Sequence, residues 1–128
     1  MDHIVANTAG WNPSGDEHFT GSVWNKRISD QSNGVTLLAV QFAPRARTDW
    51  HSHPGGQLLY VVSGTGLVRT EHGETVRIAP GDVVHAPPGE RHWHGAVPDA
   101  PMMHLSITTG GDTVWDEKVD DKEYDAAE

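Results

Sequence analysis

Glycine or proline breaks the chain every few residues between Gly34 and Gly110, and this punctuation limits what the chain can fold into. Between the breaks lie short runs rich in Val, Ile, Leu, Thr and aromatic residues. No segment sustains a helical apolar period over ten residues. Many short β-prone runs with frequent turn signals are the pattern of a sandwich or barrel. The expected strands are 21–28, 35–42, 49–53, 58–62, 66–71, 74–78, 83–86, 92–97 and 102–108. The sequence "TEHGETV" reads as a hairpin with Gly73 supplying the turn, and "APGD" at 79–82 and "PPGE" at 87–90 read as tight turns. Helix is expected only after Trp115, as one or two turns.

The 128 residues suit one domain over 1–128, with a barrel core at about 20–110 and an acidic tail at about 112–128. No apolar run approaches the ~18 residues of a membrane span. The first residues lack a basic end followed by an apolar core, so no secretory signal is expected. Cysteine is absent, which removes disulfides and thiolate metal sites and is compatible with a cytoplasmic location. The formal charge is 9 − 18 = −9, and the tail "DEKVDDKEYDAAE" carries seven acidic and two basic residues, net −5. An acidic chain with no basic stripe argues against nucleic acid or an anionic membrane as partner. The tail reads as a solvated end.

Nine histidines are present, and they are not spread evenly. Side chains at i and i+2 of a strand share a face. His51 therefore faces with His53, and His92 with His94, while Trp50, Ser52 and Trp93 point the other way. Two His-x-His pairs on inward faces of a small barrel bring several imidazoles within reach of one point. Burying them without partners is costly, and a metal ion satisfies them. His3, His18 and His72 read as solvent-exposed, and His85 as a core or interface residue. His104 lies on an otherwise apolar strand and is either a satisfied core residue or part of the cluster.

Two motifs carry a family resemblance. His51-Ser52-His53, three residues, Gln57, six residues, Gly64 is one; Gly81, five residues, Pro87-Pro88-Gly89, two residues, His92 is the other. In order and spacing the chain from about 35 to 107 resembles the cupin superfamily, which implies a double-stranded β-helix, an all-β jelly-roll barrel with little helix. Arg45, Gln57 and Ala96 stand where the motifs commonly have Gly, Glu and Asn. Gln57 resembles a subset of small cupins with a three-His, one-Gln site, which includes the manganese-dependent hydroxynitrile lyases. "FTGSV", "ARTDWHSHPGGQ", "PGDVV", "PGERHWHGA", "MMHLSI" and the Trp115–Tyr124 pattern are also similar to that group. Some uncharacterised relatives are described as carboxymuconolactone decarboxylase-like. The resemblance implies His51, His53, Gln57 and His92 as metal ligands, with Mn2+ favoured and Fe2+, Zn2+ or Ni2+ also suited to such donors.

Three imidazoles and an amide leave a divalent ion its full charge, as a Lewis acid needs. His94 and His104 are then candidates for acid–base work. The expected function is a lyase acting on a C–C bond next to a hydroxyl, in a small organic substrate. The alternatives are an iron-dependent dioxygenase and a non-enzymatic small-molecule-binding protein. Leu38, Val40 and Phe42 share a strand face; with Leu59, Val61 and Met103 they are expected to wall an apolar chamber, with Thr108 near its rim. Trp24 and Trp50 are expected to serve an interface in a homodimer or homotetramer.

Overall fold

Burial alternates along the strand Gln57–Gly64: Gln57, Leu59 and Val61 are buried, and Leu58, Tyr60 and Val62 are exposed. That period of two marks a sheet with one face packed and one open. In a computed structural model the chain is described at residues 1, 3–5, 10–30 and 34–127. Glu128, the last residue of the expected tail, lies outside the described residues. The elements are β1 Asn12–Pro13, β2 Phe19–Thr20, β3 Val23–Asp30, β4 Thr36–Phe42, β5 Arg47–Thr48, β6 His51–Ser52, β7 Gln57–Gly64, β8 Gly66–Thr70, β9 Thr75–Ile78, β10 Val83–Ala86, β11 His92–Ala96, β12 Met102–Thr108, β13 Val114–Trp115 and α1 Asp121–Ala126.

Two antiparallel sheets result. One has the order β1-β3-β4-β12-β7-β10; the other runs β13-β6-β11-β5-β2, with β8 on β11 and β9 on β8. Side chains from both sheets meet in a core that includes Val40, Phe42, Leu59, Val61, Val68, Ile78 and Met102. The expected hairpin is β8–β9, and Gly73 holds the left-handed φ of +89° that its turn requires. The strand 49–53 is shorter than expected, because only His51 and Ser52 pair regularly. The two-residue strands β1, β2, β5 and β13 fall outside the expected strands, since so short a pairing has no periodicity to read.

Arg45 has φ +69° among residues that otherwise take such values only as glycine. The substitution of the motif glycine therefore kept the left-handed backbone. Arg45 is held there by Asp125 at 3.1 Å and by the face of Tyr124, 4.8 Å from its guanidinium carbon.

The tail is not a solvated end. The outer face of the second sheet presents Trp50, Leu67, Trp93 and Val97, and Val119, Tyr124 and Ala127 cover it in a second core. An uncovered face of that size would leave two indoles in water. The tail's helix α1 starts at Asp120, whose side chain accepts the Glu123 amide, so a polar N-cap lets the chain turn down onto the sheet. Tyr124 donates its hydroxyl to the Ala96 carbonyl, and buried Arg47 bonds the Val119 carbonyl and Asp121. Trp50, expected at an interface between copies, is buried in this core; Trp24 is 37 % exposed.

Tyr124→Ala is expected to cost ~3–5 kcal/mol, the usual loss for a buried aromatic, while Lys122→Ala on the exposed face of α1 should stay within ~0.5 kcal/mol. Thermal unfolding of the two variants checks this; equal, small shifts would return the tail to solvent.

Candidate metal centre

Local geometry gathers the histidines. His51 on β6 pairs directly with His92 on β11. The chain then turns at 53–56, where the Gly56 amide donates to the His53 carbonyl and Gly56 takes a φ of +80°. The turn returns Gln57 at the head of β7, opposite Thr108. The ligand atoms of His51, His53 and His92 lie within 4.8 Å of one another, and all three residues are buried.

Backbone carbonyls set the tautomers. His51 Nδ1 lies 2.8 Å from the Asp49 carbonyl, and His92 Nδ1 lies 2.9 Å from that of Glu90. A carbonyl only accepts, so each Nδ1 carries the hydrogen and each Nε2 keeps its lone pair. His53 Nδ1 is 3.3 Å from the Thr113 hydroxyl, and its Nε2 is buried without a partner.

Gln57 sharpens the point. Its amide nitrogen donates to Ser106 Oγ at 2.8 Å, which directs its oxygen to His92 Nε2, 2.9 Å away. Two acceptors thus face each other at hydrogen-bond distance. A proton on His92 would resolve this, but burial lowers the pKa of His92 below its ordinary value. Burial, followed by the His92 charge, pushes His51 far down and His53 to about 4. A turned amide would satisfy His92 but leave the buried His53 Nε2 unpartnered, whereas a cation takes the lone pairs of all these groups, and a donor set of neutral imidazoles with one oxygen nearby fits a divalent ion.

Beside this set lies a histidine pair. His104 Nε2 is 3.1 Å from His94 Nδ1, while His94 Nε2 and His104 Nδ1 are buried without partners. Burial lowers both, His104 to about 4. Phe42 packs against the two rings at 5.8 and 5.3 Å. The His94 ring is 5.1 Å from that of His51, one step away from the three-histidine group.

All this borders a cavity of about 160 Å³. Leu38, Val40 and Thr108 line it together with His51, His53, Gln57, His94 and His104. Phe42, Leu59 and Val61 sit in the core behind its wall. Met103 does not belong to the chamber: it pairs with exposed Gln41 on the outward face of β12, because His104 and Met102 occupy the inward positions. Phe19 and Trp115, which periodicity did not single out, also line the cavity, 5.8 Å apart. His18, expected in solvent, stacks on Trp115 at 4.2 Å, and Trp115 in turn lies 4.9 Å from the His51 ring. His3, His72 and His85 are exposed and away from the cluster.

The pH dependence follows from these shifts. Unfolded histidine titrates near ~6.5, whereas folded His53 and His104 titrate near about 4. The unfolded chain therefore binds more protons between those values, so stability is full above the upper one and is lost as pH falls towards the lower. Melting of the metal-free protein is expected to hold steady above about pH 7 and to decline through this window; a flat profile would contradict the buried, neutral cluster.

Comparison with known proteins agrees with this architecture. Residues 38–108 match the Cupin domain family. The chain is 48 % identical over 132 residues to the (R)-mandelonitrile lyase of Granulicella tundricola, covering 97 % of each. It superposes on a cupin-like protein of Thermotoga maritima with a TM-score of 0.87 at 37 % identity, covering 98 % of this chain and 97 % of the other. The polyketide cyclase RemF of Streptomyces resistomycificus shares the fold, with a TM-score of 0.74 at 18 % identity and coverage of 98 % and 92 %. Motifs, two-sheet barrel and histidine cluster thus coincide: the chain belongs to the cupin family.

Proposed function

We propose that this cupin is a metal-dependent lyase that splits a cyanohydrin into a carbonyl compound and hydrogen cyanide, with His51, His53, His92 and Gln57 as ligands and manganese as the ion. The observation that carries the reading is that His51, His53 and Gln57, grouped with His92 behind them, line one cavity with His94 and His104, whose second nitrogens are buried without partners. The 48 % identity to a mandelonitrile lyase supports the same chemistry.

A divalent ion in this cage supplies Lewis-acid stabilisation to the anion that develops, undiminished because none of the four donors is charged. The chain's own residues handle the proton. In this reading the hydrogen shared across the 3.1 Å contact sits on His94 Nδ1 and is accepted by His104 Nε2, so that His94 Nε2 is bare. That nitrogen takes the hydroxyl proton of the substrate. The C–CN bond breaks, its electron pair leaves on the cyanide carbon, and an oxygen pair closes the carbonyl. Cyanide then takes the proton back from the His94–His104 pair, which returns to neutrality. Depressed pKa values suit this cycle, because they keep the pair unprotonated before each turnover. Phe19 and Trp115 on the wall suit an aryl group on the carbonyl fragment.

Turnover of mandelonitrile followed by benzaldehyde absorbance tests the reading. Chelator dialysis is expected to abolish it and manganese to restore it, with no dependence on oxygen. His94→Ala is expected to lower kcat by ~10²–10⁴-fold, the usual contribution of a positioned base, while the protein still binds its metal. Turnover that survives metal removal, or that consumes oxygen, would overturn the lyase assignment, the second in favour of a dioxygenase.

A further inference from the structure

One polar feature of the cavity has no part in that chemistry. Arg27, a solvent-exposed residue of β3 paired with Leu38 of β4, is among the residues that line the cavity. Thr36, 6 % exposed, lines it from the start of β4, and its hydroxyl is buried without a partner. Among the described residues no carboxylate pairs with Arg27. β3 stands three strands across the sheet from β7, which carries Gln57. At the usual strand spacing that is ~14 Å along the sheet, so the guanidinium and the histidine cluster border different parts of one cavity. Asp112, from the segment after β12, is the carboxylate on the same wall.

We propose that Arg27 and Thr36 form an anion subsite, and that the substrate carries a carboxylate remote from its reacting hydroxyl. A guanidinium offers paired donors to a carboxylate, and the Thr36 hydroxyl can donate to one of its oxygens while losing its own unmet bond. The apolar strip of Leu38 and Val40 between the two ends fits the carbon chain or ring that joins them. Asp112, the acid that lines this wall among the described residues, works against dianions and so favours one remote charge. The nature of the reacting end rests on the lyase reading; the anion subsite does not.

The test uses manganese-loaded protein and two series of probes, ω-hydroxycarboxylates of increasing length and the matching hydroxyamides, with Kd measured by calorimetry. A carboxylate preference of about tenfold is expected at one optimal length. Arg27→Gln should erase that preference, and Thr36→Val should reduce it by about threefold. No preference in the parent protein would overturn the proposal. So would a preference that survives Arg27→Gln, because the carboxylate would then be held at the metal end. Cyanohydrin turnover is scored separately: a subsite with the expected behaviour in a protein that cleaves no cyanohydrin would sink the lyase reading and leave the subsite standing.

Discussion

The opposition of Gln57 Oε1 and His92 Nε2 organises this protein. Both atoms present lone pairs, and each side chain is held in place by a bond on its far side, Gln57 donating to Ser106 Oγ and His92 Nδ1 to the Glu90 carbonyl. Buried without a counter-ion, they would repel in a medium that weakens charge little and rewards pairing strongly. The surrounding structure keeps them together. β7 and β12 fix Gln57 beside Ser106, and the direct pairing of β6 and β11 fixes His51 beside His92. The site is therefore a consequence of sheet register. A slip of one residue in any of these pairings would turn these side chains outward.

The same register explains how the barrel serves two masters. Along β12, Met102 belongs to the core, and His104, Ser106 and Thr108 turn to the cavity, so a single strand passes from packing to chemistry. Along β11, His92 and His94 face in, while Trp93 faces out into a second core closed by the tail. The tail also reaches the site's surroundings. Thr113 contacts His53, Trp115 packs on His51, and Lys118 pairs with Asp49, whose carbonyl orients His51. A segment that composition marks as acidic and solvated thus supports His51 and His53 from behind.

Much of this was legible in the sequence. Strands 83–86 and 102–108 fall where Gly/Pro breaks and β-branched runs place them, and three histidines of the two His-x-His pairs, His51, His53 and His92, come within reach of one point. What could not be read was what depends on tertiary contact. Met103 is apolar and reads as a chamber wall, yet alternation along β12 sends it out. His18 and Trp115 come together from opposite ends of the chain, and Tyr124 is buried although its neighbours are charged. Nothing local distinguishes a charged stretch in solvent from one that docks by a single aromatic. The unpartnered Thr36 hydroxyl likewise has no signature in sequence.

The account stands or falls on whether a cation sits between these lone pairs. Elemental analysis of untagged protein prepared without chelator is the most direct measurement. About one divalent ion per chain, lost in Gln57→Leu or bound far more weakly, is the result the account predicts. Protein that carries no metal, and gains no thermal stability when manganese, iron, zinc or nickel is added, would contradict it.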